Sequence, residues 1–137
     1  MSSDIKFSYR GCDLDKSLIF ISATFKGKKN NKSEIKKKMI NLINKKSLTQ
    51  PSKIKTCGST FKNPKNNKAW KLIKDSGCQG MNIGDAHISI KHCNFFVNKG
   101  KAKSKDLEDL IIEVQKKVLK KTGVNLEPEV QIIGKKI

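Results

Sequence analysis

His87-Ile88-Ser89-Ile90-Lys91-His92-Cys93-Asn94-Phe95-Phe96-Val97-Asn98 sets strand-type residues in two runs with no helical stretch between them. His87 to Ile90 alternates with a period of two, and Asn94 to Asn98 is aromatic and β-branched. The first run is expected to lie in a strand over Ile83 to Ile90 and the second to be a strand of its own. Downstream, Ser104 or Asp106 opens the longest helix, in which Leu107, Leu110, Ile111, Val114, Val118 and Leu119 share one face and which Gly123 stops. Upstream, Ala69 to Ser76 reads as a short helix that Gly77 terminates. Helices and strands mixed without a regular βαβ alternation predict an α+β fold.

Working outward, Ile5 to Tyr9 and Leu18 to Phe25 are predicted strands, because both are rich in β-branched and aromatic residues. Gly27 and Asn30-Asn31 mark a break. Ser33 then caps a helix whose Ile35, Met39, Leu42 and Ile43 fall on one face and which ends near Lys46. Residues 47 to 68, polar and rich in Pro, Lys and Asn, read as a long connection, and Glu129 to Ile133 as a closing strand ended by Gly134. No internal repeat appears.

At 137 residues with 36% hydrophobic composition, the chain has the size of one ordinary domain and enough apolar residues for a modest core. No apolar run is long enough to span a membrane, and the N-terminus lacks a charged leader followed by an apolar stretch, so a soluble, cytoplasmic protein is expected. Cys12, Cys57, Cys78 and Cys93 are widely spaced, with no Cys-x-x-Cys pair, which fits reduced thiols and no zinc site. The net charge of +18 invites a nucleic-acid reading, but 29 of the 30 basic residues are lysine and only Arg10 is arginine, the better residue for bidentate phosphate and base contacts. A solvated lysine surface is therefore expected, with no specific nucleic-acid partner. A stand-alone basic module for nucleic acid or another polyanion is the alternative reading.

The segment Cys57-Gly58-Ser59-Thr60-Phe61-Lys62-Asn63-Pro64 carries candidate chemistry. A glycine lets backbone approach a ligand, a serine offers a proton, and an asparagine offers donors to anionic oxygens. Gly-Ser and Asn-Pro are equally ordinary turn chemistry. Four segments in order are Tyr9-Arg10, Gly58 to Pro64, Ala69 to Ile73 continuing to Gly80-Met81-Asn82-Ile83-Gly84, and Leu126-Glu127-Pro128-Glu129-Val130-Gln131-Ile132-Ile133-Gly134. Together with Lys91 to Phe95, they resemble the C-terminal part of the UDP-N-acetylenolpyruvoylglucosamine reductase family, also called UDP-N-acetylmuramate dehydrogenase.

The resemblance implies the α+β substrate-binding domain of that family over residues 27–137, preceded over residues 1–26 by the last strands of its FAD-binding region. It implies a cytoplasmic flavoprotein oxidoreductase of peptidoglycan synthesis, and so of cell wall biogenesis, cell shape and cell division. NADPH would be the hydride source, FAD the cofactor and UDP-N-acetylglucosamine enolpyruvate the substrate. By matching position, Ser59 is the proton donor, Arg10 and Glu129 stabilise the enol intermediate, and Asn63 contacts the substrate diphosphate. Lys62, Lys91 and His92 lie near the substrate. The family's glycine-rich FAD motifs have no counterpart here, so FAD would be bound mainly by a missing N-terminal region and the chain alone is expected to be inactive. Cys12, Asp85 and Gln131 stand where the family usually has serine, glycine and arginine. With Tyr9 the only tyrosine, the chain looks closer to the shorter of the family's subgroups.

Overall fold

The computed structural model describes residues 4–15 and 17–134. Their contacts divide them into two units that meet between Ile35 and Lys36. The first holds a small hairpin, β1 (Phe7–Ser8) paired antiparallel with β2 (Gly11–Cys12). The predicted strand over Ile5 to Tyr9 is thus shortened to two residues. Leu18 to Phe25 is not a strand: among the described residues it has no ladder partner, and Ile19, Phe20, Ile21 and Phe25 are exposed. Apolar β-type residues form a strand only where another strand supplies hydrogen bonds and a core supplies cover.

Helix α1 (Lys32–Thr49) begins one residue earlier than the expected cap and runs three residues past Lys46. The cap is Asn31, whose Oδ1 accepts the Ser33 backbone N–H at 2.9 Å. None of its residues is buried, including Ile35, Met39, Leu42 and Ile43 of the predicted face.

The second unit is built on a four-stranded antiparallel sheet, β3 (Lys55–Ser59), β6 (Phe95–Asn98), β5 (Ala86–Ile88) and β4 (Asn82–Ile83) in spatial order. Its edge strand β3 corrects the connection expected over 47 to 68. The segment is polar because it lies at an edge and exposes Lys55 and Cys57, while Thr56 and Ser59 pair with Val97 and Phe95. The single strand expected over Ile83 to Ile90 is a hairpin instead: Gly84, at φ 52°, turns the chain so that Ile83 faces Ala86. The closing strand over Glu129 to Ile133 reduces to one bridge between Phe61 and Pro128, supported by Lys62 N–H to Glu127 O at 2.9 Å and Glu129 N–H to Thr60 O at 2.8 Å.

Helices α2 (Ala69–Asp75) and α3 (Ser104–Thr122) pack together, and α3 covers β4 and β5. Leu110, Ile111, Val114 and Val118 are buried as their spacing requires, while Leu119 of the expected face is exposed. Gly77 ends α2 as predicted: its N–H bonds Lys74 O and the Cys78 N–H bonds Ile73 O, leaving Cys78 and Ile73 together in the core. The core centres on Phe61 and Phe96, whose rings meet edge to face at 5.9 Å.

Candidate functional site

Six of the seven candidate residues fall in the second unit, Ser59 at the end of β3, Lys62 and Asn63 just beyond it, Lys91 and His92 before β6, and Glu129 near the C-terminus. Gly58 has φ 87° and sits where the β3–β6 register shifts between Thr56 and Ser59. A Cβ added there would meet nothing within 4 Å, so conformation and not space requires glycine. The Thr56 hydroxyl accepts the Gly58 N–H at 3.2 Å, and Ser59 follows as the half-buried last residue of the strand. Among the described residues the Ser59 hydroxyl has no hydrogen-bond partner, so it is not spent on the turn.

Beyond Ser59 the backbone is clamped. Asn94, 4% exposed, accepts the Phe61 N–H on Oδ1 at 2.9 Å and donates Nδ2 to the Phe61 carbonyl at 2.8 Å. Its own carbonyl accepts the Thr60 N–H at 2.8 Å. One amide side chain therefore does for Phe61 what a neighbouring strand would do, and fixes the path from Ser59 to Lys62. On the other side, the Thr60 carbonyl holds the N–H of Glu129, which places that half-buried residue beside the same path.

Lys62 makes an ion pair with Glu127. Asn63 accepts the N–H of Ala69 on Oδ1 at 3.0 Å and so caps α2. His92 sits in the turn before β6, its ring 4.8 Å from that of Phe95 and 6.3 Å from that of Trp70. Burial pushes the His92 imidazole below its ordinary pKa. Its Nδ1 accepts the Asn94 N–H at 3.3 Å, which leaves Nε2 as the protonated nitrogen of the neutral ring.

Arg10 belongs to the first unit, in the turn between β1 and β2. It has φ 61°, at a turn position better suited to glycine or asparagine, and its guanidinium lies 5.6 Å from the Tyr9 ring centroid. A bulky side chain in that conformation is a reason to ask what the side chain is for.

Sequence reasoning missed Asn94 as the residue that holds this loop. Its position at the start of an apolar strand was the available signal, since a polar amide in such a place must find partners. Among the described residues no group of His, Cys, Asp and Glu is arranged to hold a metal. No helix of the described residues is long and apolar enough to cross a membrane. The glycines of the described chain stand singly, Gly11 and Gly58 within strands and the others in turns, irregular segments and at helix ends.

Residues 50–133 match the family model described as the UDP-N-acetylenolpyruvoylglucosamine reductase C-terminal domain. A UDP-N-acetylenolpyruvoylglucosamine reductase of Pelagibacter ubique is 53% identical over 96% of this chain and 45% of its own length. One from Rickettsia akari is 49% identical over 94% of this chain and 44% of its own. The crystal structure of UDP-N-acetylenolpyruvylglucosamine reductase (MurB) from Thermus caldophilus superposes with a TM-score of 0.80 at 34% identity, over 94% of this chain and 46% of that one. The chain thus spans about half the length of the relatives it matches.

Proposed function

Because the chain belongs to the UDP-N-acetylenolpyruvoylglucosamine reductase C-terminal domain family, we propose that it supplies the substrate-binding part of an NADPH-using, FAD-dependent oxidoreductase. That enzyme converts UDP-N-acetylglucosamine enolpyruvate to UDP-N-acetylmuramate for peptidoglycan synthesis in the cytoplasm. The observation that carries the proposal is the pairing of Glu129 with Thr60 at 2.8 Å, which sets a carboxylate-bearing residue next to the segment that presents Ser59. In this reading residues 27–137 form the substrate-binding domain and residues 1–26 end a flavin-binding region.

Each residue's part follows from the charge the reaction builds. Addition of hydride to one carbon of the enolpyruvyl double bond leaves an enolate conjugated with the carboxylate. Arg10 and Glu129 stabilise that intermediate, the planar guanidinium being suited to a carboxylate partner. Ser59 delivers a proton to the neighbouring carbon. Asn63, Lys62 and His92 bind the substrate, Asn63 and Lys62 on the side of its diphosphate. The surface lysines are solvated, and no observation favours a groove for nucleic acid.

The test co-expresses this chain with the N-terminal part of the Pelagibacter ubique relative and follows flavin absorbance by stopped flow. Ser59→Ala is expected to leave reduction of the flavin by NADPH unchanged. It should slow reoxidation by the enolpyruvyl substrate by about 10²- to 10⁴-fold, the usual worth of a positioned general acid. Equal slowing of both halves, or none of the second, would remove Ser59 from this role.

A further inference from the structure

Between β3, the first half of α3 and the segment that follows Pro128 lies a cavity of about 230 Å³. Phe96, Leu107, Ile111, Val130 and Ile132 give it apolar walls, and Thr60 is part of its lining. Thr60 is 1% exposed, and among the described residues its hydroxyl has no hydrogen-bond partner. Its backbone groups are both engaged, the N–H donating to the Asn94 carbonyl and the carbonyl accepting the Glu129 N–H. A buried hydroxyl is normally paired, so an unpaired one in the lining of a cavity marks where the polar group of a ligand belongs. Two further residues of the lining bear on what that ligand is, Glu108 and the exposed Cys57. None of the seven candidate residues lines this cavity.

A cavity of about 150 Å³ walled by Leu, Ile and Phe is enough to admit benzene, so this one has room for a single substituted ring. Five apolar side chains disfavour a sugar or a phosphate, whose polar groups would be left without partners. The Glu108 carboxylate in the lining disfavours an anion as well. The Thr60 hydroxyl can donate to or accept from one polar group, and Phe96 offers an aromatic surface. We propose that this cavity binds a small neutral aromatic alcohol of the phenol class, its ring against Phe96 and its hydroxyl paired with that of Thr60. The site draws on no residue assigned to the reaction, so it stands or falls apart from the enzymatic reading.

The experiment titrates the whole chain with phenol, toluene and benzoate by calorimetry. Phenol is expected to bind more tightly than toluene, and benzoate not to bind. Thr60→Val keeps the shape of the side chain and removes only its hydroxyl. It should weaken phenol about 2- to 12-fold, the worth of one neutral hydrogen bond, and leave toluene unchanged, which also reports an intact cavity. Because the hydroxyl it removes is unpaired, the same variant should lose no stability in urea. Cys57 locates the ligand: in a Cys12→Ser chain it is the one exposed thiol, and its alkylation by iodoacetamide, read by mass spectrometry, should slow saturably as phenol is added. The proposal is overturned if phenol does not bind, if it binds without slowing the alkylation of Cys57, or if Thr60→Val leaves phenol affinity unaltered. A lower urea midpoint for Thr60→Val would overturn it too, by showing that the hydroxyl is already paired.

Discussion

A single buried amide, Asn94, organises the candidate site. Its side chain satisfies both the N–H and the carbonyl of Phe61, and no helix or strand replaces it there. Asn94→Ala leaves a buried donor and a buried acceptor without partners, each worth about 1–3 kcal/mol. A loss of roughly 2–4 kcal/mol in urea unfolding is therefore expected. His92, two residues earlier, contributes a pH dependence. Its imidazole titrates lower when folded than in the unfolded chain, where the value is about 6.5. The unfolded state then binds more protons in the window just below that value. The stability due to neutral His92 is fully present above about pH 6.5 and is lost as pH falls through the folded-state pKa. Urea midpoints measured from pH 8 to pH 5 should fall more steeply for the native chain than for His92→Gln.

Among the elements, the two long helices carry opposite lessons. Both show apolar residues at helical spacing, yet α3 buries Leu110, Val114 and Val118 while α1 buries nothing. Periodicity states which residues lie on one face and says nothing about what that face meets. Leu110→Ala should cost about 2–5 kcal/mol as a cavity opens between α3 and the sheet, a loss visible in the unfolding midpoint. Ile43→Ser on α1 should change stability by no more than about 0.5 kcal/mol in the same assay. The same distinction explains which parts of the fold were legible. α2 and α3, their glycine stops and β6 follow from local chemistry. The loss of the strand at Leu18 to Phe25, the edge strand at Lys55 to Ser59 and the shortened closing segment depend on non-local pairing, which no local pattern encodes. Of the site, Ser59 and Asn63 were legible as residue types in a turn-rich segment. The clamp by Asn94 was not, because it joins positions 33 residues apart.

For the molecule as a whole, burial separates the four thiols into two classes. Cys12 and Cys57 are exposed, whereas Cys78 and Cys93 are buried and their thiols are pushed up by desolvation. Native protein at neutral pH is expected to release about half the colour with a disulfide reagent such as DTNB that the same protein releases in guanidinium, since only exposed thiolates react. Rapid native labelling of all four would contradict the packing of Cys78 against Ile73 described above. The excess of +18 is distributed over lysines that are mostly solvated, so it acts at long range and weakens as salt rises.

The cap of α2 has a chemical consequence. Asparagines age by deamidation, in which the backbone nitrogen of the next residue attacks the side-chain amide to close a succinimide ring. Asn63, which holds the N–H of Ala69, is followed by Pro64, whose nitrogen bears no proton and cannot complete that ring. The Asn63 side chain, which ties this helix start to the Ser59 segment, is thereby shielded from the commonest spontaneous damage of its residue type. Over the lifetime of the polypeptide it keeps its amide, and with it the neutral charge on which both the cap and any contact with a diphosphate depend.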